Sequence, residues 1–147
     1  MIAARDTQSS SRGLSLRDPE AIDWIVIVDD DEAVRRALAR LLRAYPLSVR
    51  TYPSGREFLR YLESDVPACL ILDHQMPDMT GLELLHYLAG RGFKFPVIVA
   101  TAQDEPGLEH RCMLAGAVAF LTKPFSTEAL LRALAGALKR PVPNTSR

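Results

Sequence analysis

The stretch that decides the fold is Cys69-Leu70-Ile71-Leu72-Asp73-His74-Gln75-Met76-Pro77-Asp78-Met79-Thr80-Gly81. An apolar run ends abruptly at Asp73, and a loop that contains proline and glycine follows at once. Bounded apolar runs of this length are typical of buried strands in a parallel sheet. Open α/β sheets keep their ligand sites at the carboxyl ends of such strands. A lone aspartate there is more often a turn former, so its meaning depends on what the other strands bring to the same edge.

The composition suits a single domain with an ordinary core and no strongly charged surface. The chain has 147 residues, of which 18 are basic and 18 are acidic. This balance gives no electrostatic reason to expect nucleic acid or an anionic membrane as a direct partner. No apolar run is long enough to span a bilayer, and the N-terminus lacks the apolar core of a secretory signal. We therefore expect a cytoplasmic protein in which Cys69 and Cys112 are free, buried thiols.

Apolar runs predict five strands that alternate with five helices along the chain. The strands are expected at residues 24–28, 47–52, 68–72, 96–101 and 117–122. The predicted domain covers residues 23–139, with a disordered tail over residues 1–22 and a short C-terminal tail over residues 140–147. The alternation indicates an α/β fold, a flavodoxin-like (βα)5 three-layer sandwich whose parallel five-stranded sheet has the order 2-1-3-4-5.

Helix boundaries follow from apolar spacing and from capping residues. The first helix is predicted to turn five apolar residues inward: Val34, Ala37, Leu38, Leu41 and Leu42. Ser54 and Thr80 each begin a capping box with a glutamate three residues later, and Ser126 is expected to cap the fifth helix. The fourth helix has the weakest periodicity, and Pro106 is expected in its first turn.

The strand order brings polar residues from distant segments to one edge of the sheet. Strands 1, 3, 4 and 5 are neighbours, and their carboxyl ends carry Asp29 and Asp30, Asp73, Thr101 and Lys123. Carboxylates a few Å apart repel one another by roughly 3 kcal/mol per pair at an effective dielectric of about 20. Either a proton is partly retained or a cation lies among them. All-oxygen ligands favour a hard ion, Mg²⁺ or Mn²⁺.

The remaining polar residues at this edge indicate what the cluster does. Asp31 heads the first helix and fits an ordinary helix cap, whereas Asp29 and Asp73 do not. Lys123 could pair with Asp73 or with an anion bound there, and Thr101 offers a hydroxyl to the same place. A carboxylate, a divalent ion, a hydroxyl and an ammonium around one small cavity favour phosphoryl transfer to an aspartate.

Motifs in fixed order give the chain a resemblance to a known family, and the resemblance covers about residues 23–139. The motifs are Val28-Asp29-Asp30, Leu72-Asp73 through Met76-Pro77 to Gly81, Val99-Ala100-Thr101-Ala102 and Phe120-Leu121-Thr122-Lys123-Pro124-Phe125. Together they resemble the receiver domain of two-component response regulators. The run Tyr52-Pro53-Ser54-Gly55-Arg56-Glu57-Phe58-Leu59 is similar to the subfamily of nitrogen-fixation regulators. Those regulators usually carry a C-terminal DNA-binding domain, and since this chain stops shortly after the fifth helix we expect a stand-alone receiver without one.

The resemblance implies a role for each residue of the predicted acidic site. Asp73 resembles the phosphoacceptor, and the position of Val28 assigns Asp29 and Asp30 as the acidic pair by analogy. Asp30 would bind Mg²⁺ directly, Asp29 would bind it through water, and the backbone carbonyl of Gln75 would be a further ligand.

The resemblance also implies roles around that site. Thr101 and Lys123 would bind phosphoryl oxygens, and Thr101 and Phe120 would form the switch. The Lys123–Pro124 bond is expected to be cis. Gln75 and Gln103 lie where the family tunes the access of hydrolytic water. His74 is expected to be a solvated loop histidine, since it would be unusual as a ligand.

The function implied is that of a non-enzymatic signalling module. Asp73 would accept a phosphoryl group from a sensor histidine kinase or a histidine phosphotransfer protein. The signal would leave through the face of helix 4, strand 5 and helix 5, towards a downstream protein or through a phosphorylation-dependent homodimer. One alternative is a phosphate shuttle between phosphorelay partners. An aspartyl-phosphate phosphatase of the haloacid-dehalogenase type is disfavoured, because that class needs a second aspartate where Gln75 stands. The intact acidic set argues against a receiver that has lost phosphorylation.

Overall fold

The sheet of this computed structural model places the acidic residues at one edge, and the structure describes residues 24–102 and 105–139. The five parallel strands lie in the order β2-β1-β3-β4-β5. They are β1 (Trp24–Val28), β2 (Ser48–Tyr52), β3 (Cys69–Leu72), β4 (Val97–Thr101) and β5 (Ala119–Thr122). The helices are α1 (Glu32–Arg43), α2 (Gly55–Tyr61), α3 (Gly81–Gly90), α4 (Leu108–Leu114) and α5 (Thr127–Leu138). The predicted fold class and strand order are confirmed, while both predicted tails and Gln103 lie outside the described residues.

Helices cover both faces of the sheet, and the three central strands β1, β3 and β4 are accordingly apolar except at their ends. Alternate residues of β1 point to opposite faces, so that Val26 packs in the core beneath α2, α3 and α4. Ile25 packs in a second core beneath α1 and α5. Because a strand buried on both faces has no solvent side, the only polar positions available are at its ends.

The inward face of α1 differs from its predicted face. Leu38, Ala39 and Leu42 are buried, whereas Ala37 is exposed. The prediction for Ala37 was therefore wrong. Positions 37 and 39 are both alanine, which carries little hydrophobic signal, so the position of the helix against the sheet decides which of the two is buried.

The start of α4 also differs from the prediction. The helix begins at Leu108, so Pro106 lies in the turn before the helix and not in its first turn. Its N-cap residue is Gly107, which has a φ of +82° and no side chain that could bond to the first turn. By contrast, Thr80 and Glu83 form the predicted capping box of α3, and Ser126 caps α5. The α4 helix thus begins without the side-chain cap that α3 and α5 have.

Both cysteines are free and buried, as predicted. Burial raises the pKa of the Cys69 thiol to about 12, because a thiolate cannot be solvated inside the core. Within residues 24–102 and 105–139, no helix is both long enough and apolar enough to cross a membrane.

Candidate functional site

Parallel strands deliver the predicted polar residues to a single edge of the sheet. Asp29 directly follows β1, Asp73 directly follows β3, and the Asp73 backbone N–H donates to the Val28 carbonyl at 3.0 Å. Thr101 is the last residue of β4, and its carbonyl accepts a hydrogen bond of 2.9 Å from the backbone N–H of Lys123. Each side chain is therefore fixed by the strand that precedes it.

Three carboxylates meet at this edge. Asp29, Asp30 and Asp73 each offer an oxygen, and these atoms all lie within 4.8 Å of one another. Asp29 is 2 % exposed and Asp73 is 7 % exposed, whereas Asp30 is exposed to solvent. The cluster thus has two carboxylates in the protein interior and a third at its mouth.

The structure separates the acidic pair from the helix cap that follows it. One Asp31 carboxylate oxygen accepts from the backbone N–H groups of Ala33 (2.9 Å) and Val34 (3.2 Å), so Asp31 is the N-cap of α1. The Asp31 backbone N–H in turn donates to Asp29 Oδ1 at 2.9 Å. Asp31 therefore belongs to the helix, and Asp29 and Asp30 form the pair at the site.

Arg35 supports the same turn, and sequence reasoning missed it. Its Nη1 donates a 2.7 Å hydrogen bond to the Asp29 backbone carbonyl. The residue lies on the second turn of α1, and an arginine at that spacing carries no motif that would have revealed the contact.

Lys123 lies among the carboxylates, closer to Asp29 than to Asp73. Its Nζ is 2.6 Å from Asp29 Oδ2 and 3.7 Å from Asp73 Oδ2. The Lys123–Pro124 peptide bond is cis. The contact with Asp73, which the sequence suggested, is therefore the longer of these two contacts, and the Lys123 ammonium pairs mainly with Asp29.

The direction of the Asp29 pKa indicates that Lys123 only partly offsets the burial of this carboxyl. Burial raises the pKa above the ordinary carboxyl value, and the hydrogen bond from Lys123 only partly offsets this effect. A raised pKa in the folded state means that folding favours the protonated carboxyl. The resulting stability is present at low pH and is lost as the pH rises through the raised pKa. An additional positive charge beside Asp29 would therefore stabilise its ionised form.

The donor set fits a hard divalent cation. All nearby ligand atoms are carboxylate oxygens, which Mg²⁺ prefers, and the described residues bring no histidine or cysteine into the cluster. A cation there would offset the burial that raises the pKa of Asp29 and, as a smaller effect, its repulsion by Asp73.

The loop after β3 is held in place by the first turn of α3. Asp73 Oδ1 accepts from the Gln75 backbone N–H at 3.3 Å, and the Gln75 side chain is exposed. The Gly81 backbone N–H donates to the His74 carbonyl at 2.9 Å. A Cβ atom on Gly81 would lie 2.6 Å from the Asp73 carbonyl oxygen and 2.8 Å from His74 Cα. Only glycine permits this close approach.

We expect Gly81→Ala to move the Asp73 loop and to lower the melting temperature by several degrees. The colliding atoms belong to the backbone, so no flexible side chain can yield. A destabilisation of about 1–3 kcal/mol is typical of such overpacking. Thermal unfolding measures the loss, and Gly90→Ala is the control because a Cβ there meets nothing within 4 Å. Equal melting temperatures for the two variants would contradict this account.

His74 is not a solvated loop residue, and that prediction was wrong. It is only 9 % exposed. Its Nδ1 accepts from the Leu82 backbone N–H at 3.3 Å, and its Nε2 lies 3.9 Å from Glu105 Oε2. The physical reason is that α3 and the segment before α4 both close over the loop, which the local sequence does not show.

The predicted switch residues lie on neighbouring strands. Thr101 on β4 is fully buried, and Phe120 on β5 is half-buried. The Phe120 ring borders a surface cavity of about 500 Å³ between β5 and α4, which Met113 and Pro106 also line. There is thus open space on the α4 side of Phe120.

The sequence of this chain is similar to that of known response regulators. A family model described as the response regulator receiver domain matches residues 25–135. Response regulator protein TodT of Pseudomonas putida is 41% identical over 115 residues, which are 78% of this chain and 51% of TodT. Nodulation protein W of Bradyrhizobium diazoefficiens is 37% identical over 116 residues, which are 79% of this chain and 51% of that protein. The chain therefore spans about half the length of these curated relatives.

Solved structures resemble the whole described domain. A response regulator receiver protein from Burkholderia phymatum has a TM-score of 0.74 and 42% identity, covering 83% of this chain and 99% of the other. FixJ-N has a TM-score of 0.75 and 33% identity, covering 84% of this chain and 99% of the other.

Proposed function

Because this chain belongs to the family of response regulator receiver domains, we propose that it accepts a phosphoryl group on Asp73 from a sensor histidine kinase or a histidine phosphotransfer protein. The observation that carries the proposal is the position of the Asp73 carboxylate. It lies within 4.8 Å of two other carboxylates and 3.7 Å from the Lys123 ammonium. An Asp73 oxygen attacks the phosphorus, the bond from phosphorus to the donor imidazole nitrogen breaks, and an acyl phosphate forms.

The other residues at the edge are proposed to hold the charge of the reacting group. Asp29, Asp30 and Asp73, with the backbone carbonyl of Gln75, would hold Mg²⁺, for which Mn²⁺ could substitute. Held by these residues, the ion would neutralise charge on the phosphoryl oxygens and on the carboxylates. Lys123 and Thr101 are proposed to bind the phosphoryl oxygens. Since Lys123 is already near Asp73, a small shift away from Asp29 Oδ2 would bring its ammonium to the new anion.

The signal is proposed to leave through α4, β5 and α5. A phosphoryl group that draws the Thr101 hydroxyl inward makes room beside β4, and Phe120 on β5 rotates into it. Two features support this route: the N-cap residue of α4 is Gly107, which supplies no side-chain cap, and the C-terminal part of the helix exposes Met113 and Leu114. A short helix with these features is suited to shift between two positions.

Exposed apolar residues in and after α4 support a role that includes binding another protein. Met113 and Leu114 are 42 % and 75 % exposed, and Val118, which follows them in the sequence, is 49 % exposed. A surface of this kind serves a protein partner or a second copy of the chain. We further propose that the domain is a non-enzymatic signalling module. A cytoplasmic location is proposed because the Cys69 and Cys112 thiols are free. Action without a DNA-binding domain stays a prediction.

The proposal is tested by incubation with acetyl phosphate and Mg²⁺, followed by intact mass. We expect one added phosphoryl group, and none when EDTA removes the metal. The absence of any added group with both a small-molecule donor and a panel of phosphorylated histidine kinases would refute it.

For the output route, we expect Thr101→Ala to be phosphorylated but to respond less. The variant keeps Asp73, the acidic pair and Lys123, but it loses the hydroxyl that couples the phosphoryl group to β4. The measurement is hydrogen exchange of α4 and β5 with and without beryllofluoride. Thr122→Ala is the matched control, since Thr122 is the exposed register partner of Thr101 on β5. Exchange changes confined to the Asp73 loop in the wild type would refute this route.

A further inference from the structure

Within the part of the chain that the structure describes, His74 has three polar contacts outside its own loop, and two of them attach it to α3. Its backbone carbonyl accepts from the Gly81 N–H at 2.9 Å, and its ring Nδ1 accepts from the Leu82 N–H at 3.3 Å. A backbone N–H can only donate, so Nδ1 carries no proton while this bond exists, and the ring proton is on Nε2. The ring is thus fixed in orientation and in tautomer.

The third contact leads from this ring to α4. Nε2 lies 3.9 Å from Glu105 Oε2, with the histidine side chain only 11% exposed and the glutamate side chain 36% exposed. In this tautomer the ring is neutral, and Nε2–H is the positive end of its dipole on the side of the Glu105 carboxylate. At this distance the interaction is electrostatic and does not qualify as a short hydrogen bond.

Glu105 in turn is bound to α4 by its backbone and by its side chain. Its backbone carbonyl accepts a hydrogen bond of 3.1 Å from the N–H of Leu108, and Leu108 is the first residue of the helix. Its Oε1 accepts from Arg111 Nη2 at 3.1 Å, one turn further along. A residue that holds Glu105 therefore holds the first turn of α4, where Gly107 supplies no side-chain cap.

We propose that His74 is a positioning residue that joins the Asp73 loop to the start of α4 through Glu105. Because His74 directly follows Asp73, a displacement of Asp73 shifts the His74 backbone and with it the position of the Nε2–H dipole relative to Glu105. This gives the site a path to α4 that is separate from Thr101 and Phe120. Its signalling role rests on the proposed function, whereas the connection itself exists in the unphosphorylated protein.

Two amide substitutions separate the two sides of the imidazole. Asparagine places its amide oxygen near the position of Nδ1, so His74→Asn keeps the bond from Leu82 but does not reach Glu105. Glutamine places its amide nitrogen near the position of Nε2, so His74→Gln keeps a donor towards Glu105. A purely structural role for the buried ring would make both variants similar.

The first test uses hydrogen exchange of residues 108–114 in the unphosphorylated protein. We expect His74→Asn and Glu105→Ala each to accelerate exchange by about threefold, and the double variant to be no faster than Glu105→Ala alone. His74→Gln should stay near the wild-type rate. Glu128→Ala is the matched control, since Glu128 is an exposed glutamate bound to an arginine, Arg132, at 3.2 Å on α5. Additive effects, or equal acceleration by both His74 variants, would overturn the proposal.

The second test adds the phosphoryl group. We expect His74→Asn to take the same label by intact mass as the wild type, while its phosphorylation-dependent exchange change in α4 falls by about half or more. Equal labels with an unchanged α4 response would overturn the signalling role. If the wild type takes no label, the proposed function fails, and the unphosphorylated cycle still decides whether His74 and Glu105 are coupled.

Discussion

Asp73→Asn is expected to abolish phosphorylation by acetyl phosphate and Mg²⁺. The amide has the size of the carboxylate but lacks the anionic oxygen that attacks phosphorus. Asp29 cannot replace it, because its carboxylate is 2 % exposed and is held by Lys123 at 2.6 Å and by the Asp31 N–H. Intact mass after incubation measures the label directly.

The matched control for this variant is Asp78→Asn. Asp78 lies in the same loop, and its carboxylate faces Arg56 at 3.9 Å, away from the acidic cluster. We expect it to be labelled like the wild type. Equal labelling of Asp73→Asn and wild type would exclude Asp73 as the acceptor, and loss of label in both variants would mean that the loop as a whole, not one carboxylate, is required.

The position of the site could be predicted because parallel topology leaves little freedom at strand ends. An apolar strand buried on both faces must end where polarity begins. Right-handed crossovers then make β1, β3, β4 and β5 neighbours. Asp73 and Lys123 were therefore assignable to one edge, although neither their separation nor their partners could be predicted. In the structure the Lys123 ammonium pairs most closely with Asp29, which is 94 residues away in the sequence. The flexible lysine side chain has two carboxylates within reach, and only the folded backbone determines which of them is nearer.

The burial of His74 could not be predicted, because it depends on segments distant in sequence. A histidine in a loop rich in proline and glycine is ordinarily exposed. Here the first turn of α3 supplies a donor from Leu82, and Glu105 approaches from the segment before α4. The side-chain pattern near Asp73 does not indicate that either segment packs against His74. Similarly, Ala37 and Ala39 could not be ranked, since small side chains give a weak periodic signal.

Asp30→Asn is expected to weaken Mg²⁺ binding by at least about tenfold, or ~1.4 kcal/mol. The variant removes one anionic oxygen from a cluster of three carboxylates and leaves the buried pair in place. Isothermal titration calorimetry is the suitable measurement. Trp24 fluorescence is not, because Trp24 is at the amino end of β1, about 16 Å from Asp29 at the usual rise per residue. Its ring is also covered by the Arg50 guanidinium at 3.9 Å.

The control for this prediction is Asp31→Asn, which removes the same charge one residue away. Asparagine caps helices about as well as aspartate, so α1 should keep its N-cap. If Asp30 is a ligand, its variant loses far more affinity than the Asp31 variant, whose carboxylate is bound to Ala33 and Val34. Equal losses would mean that only long-range charge matters and that Asp30 does not touch the ion. Melting temperatures give an independent check. Removing the Asp30 charge relieves repulsion on Asp29 and Asp73, so without Mg²⁺ the Asp30→Asn variant should melt no lower than the wild type. With Mg²⁺ the variant should melt at a lower temperature than the wild type.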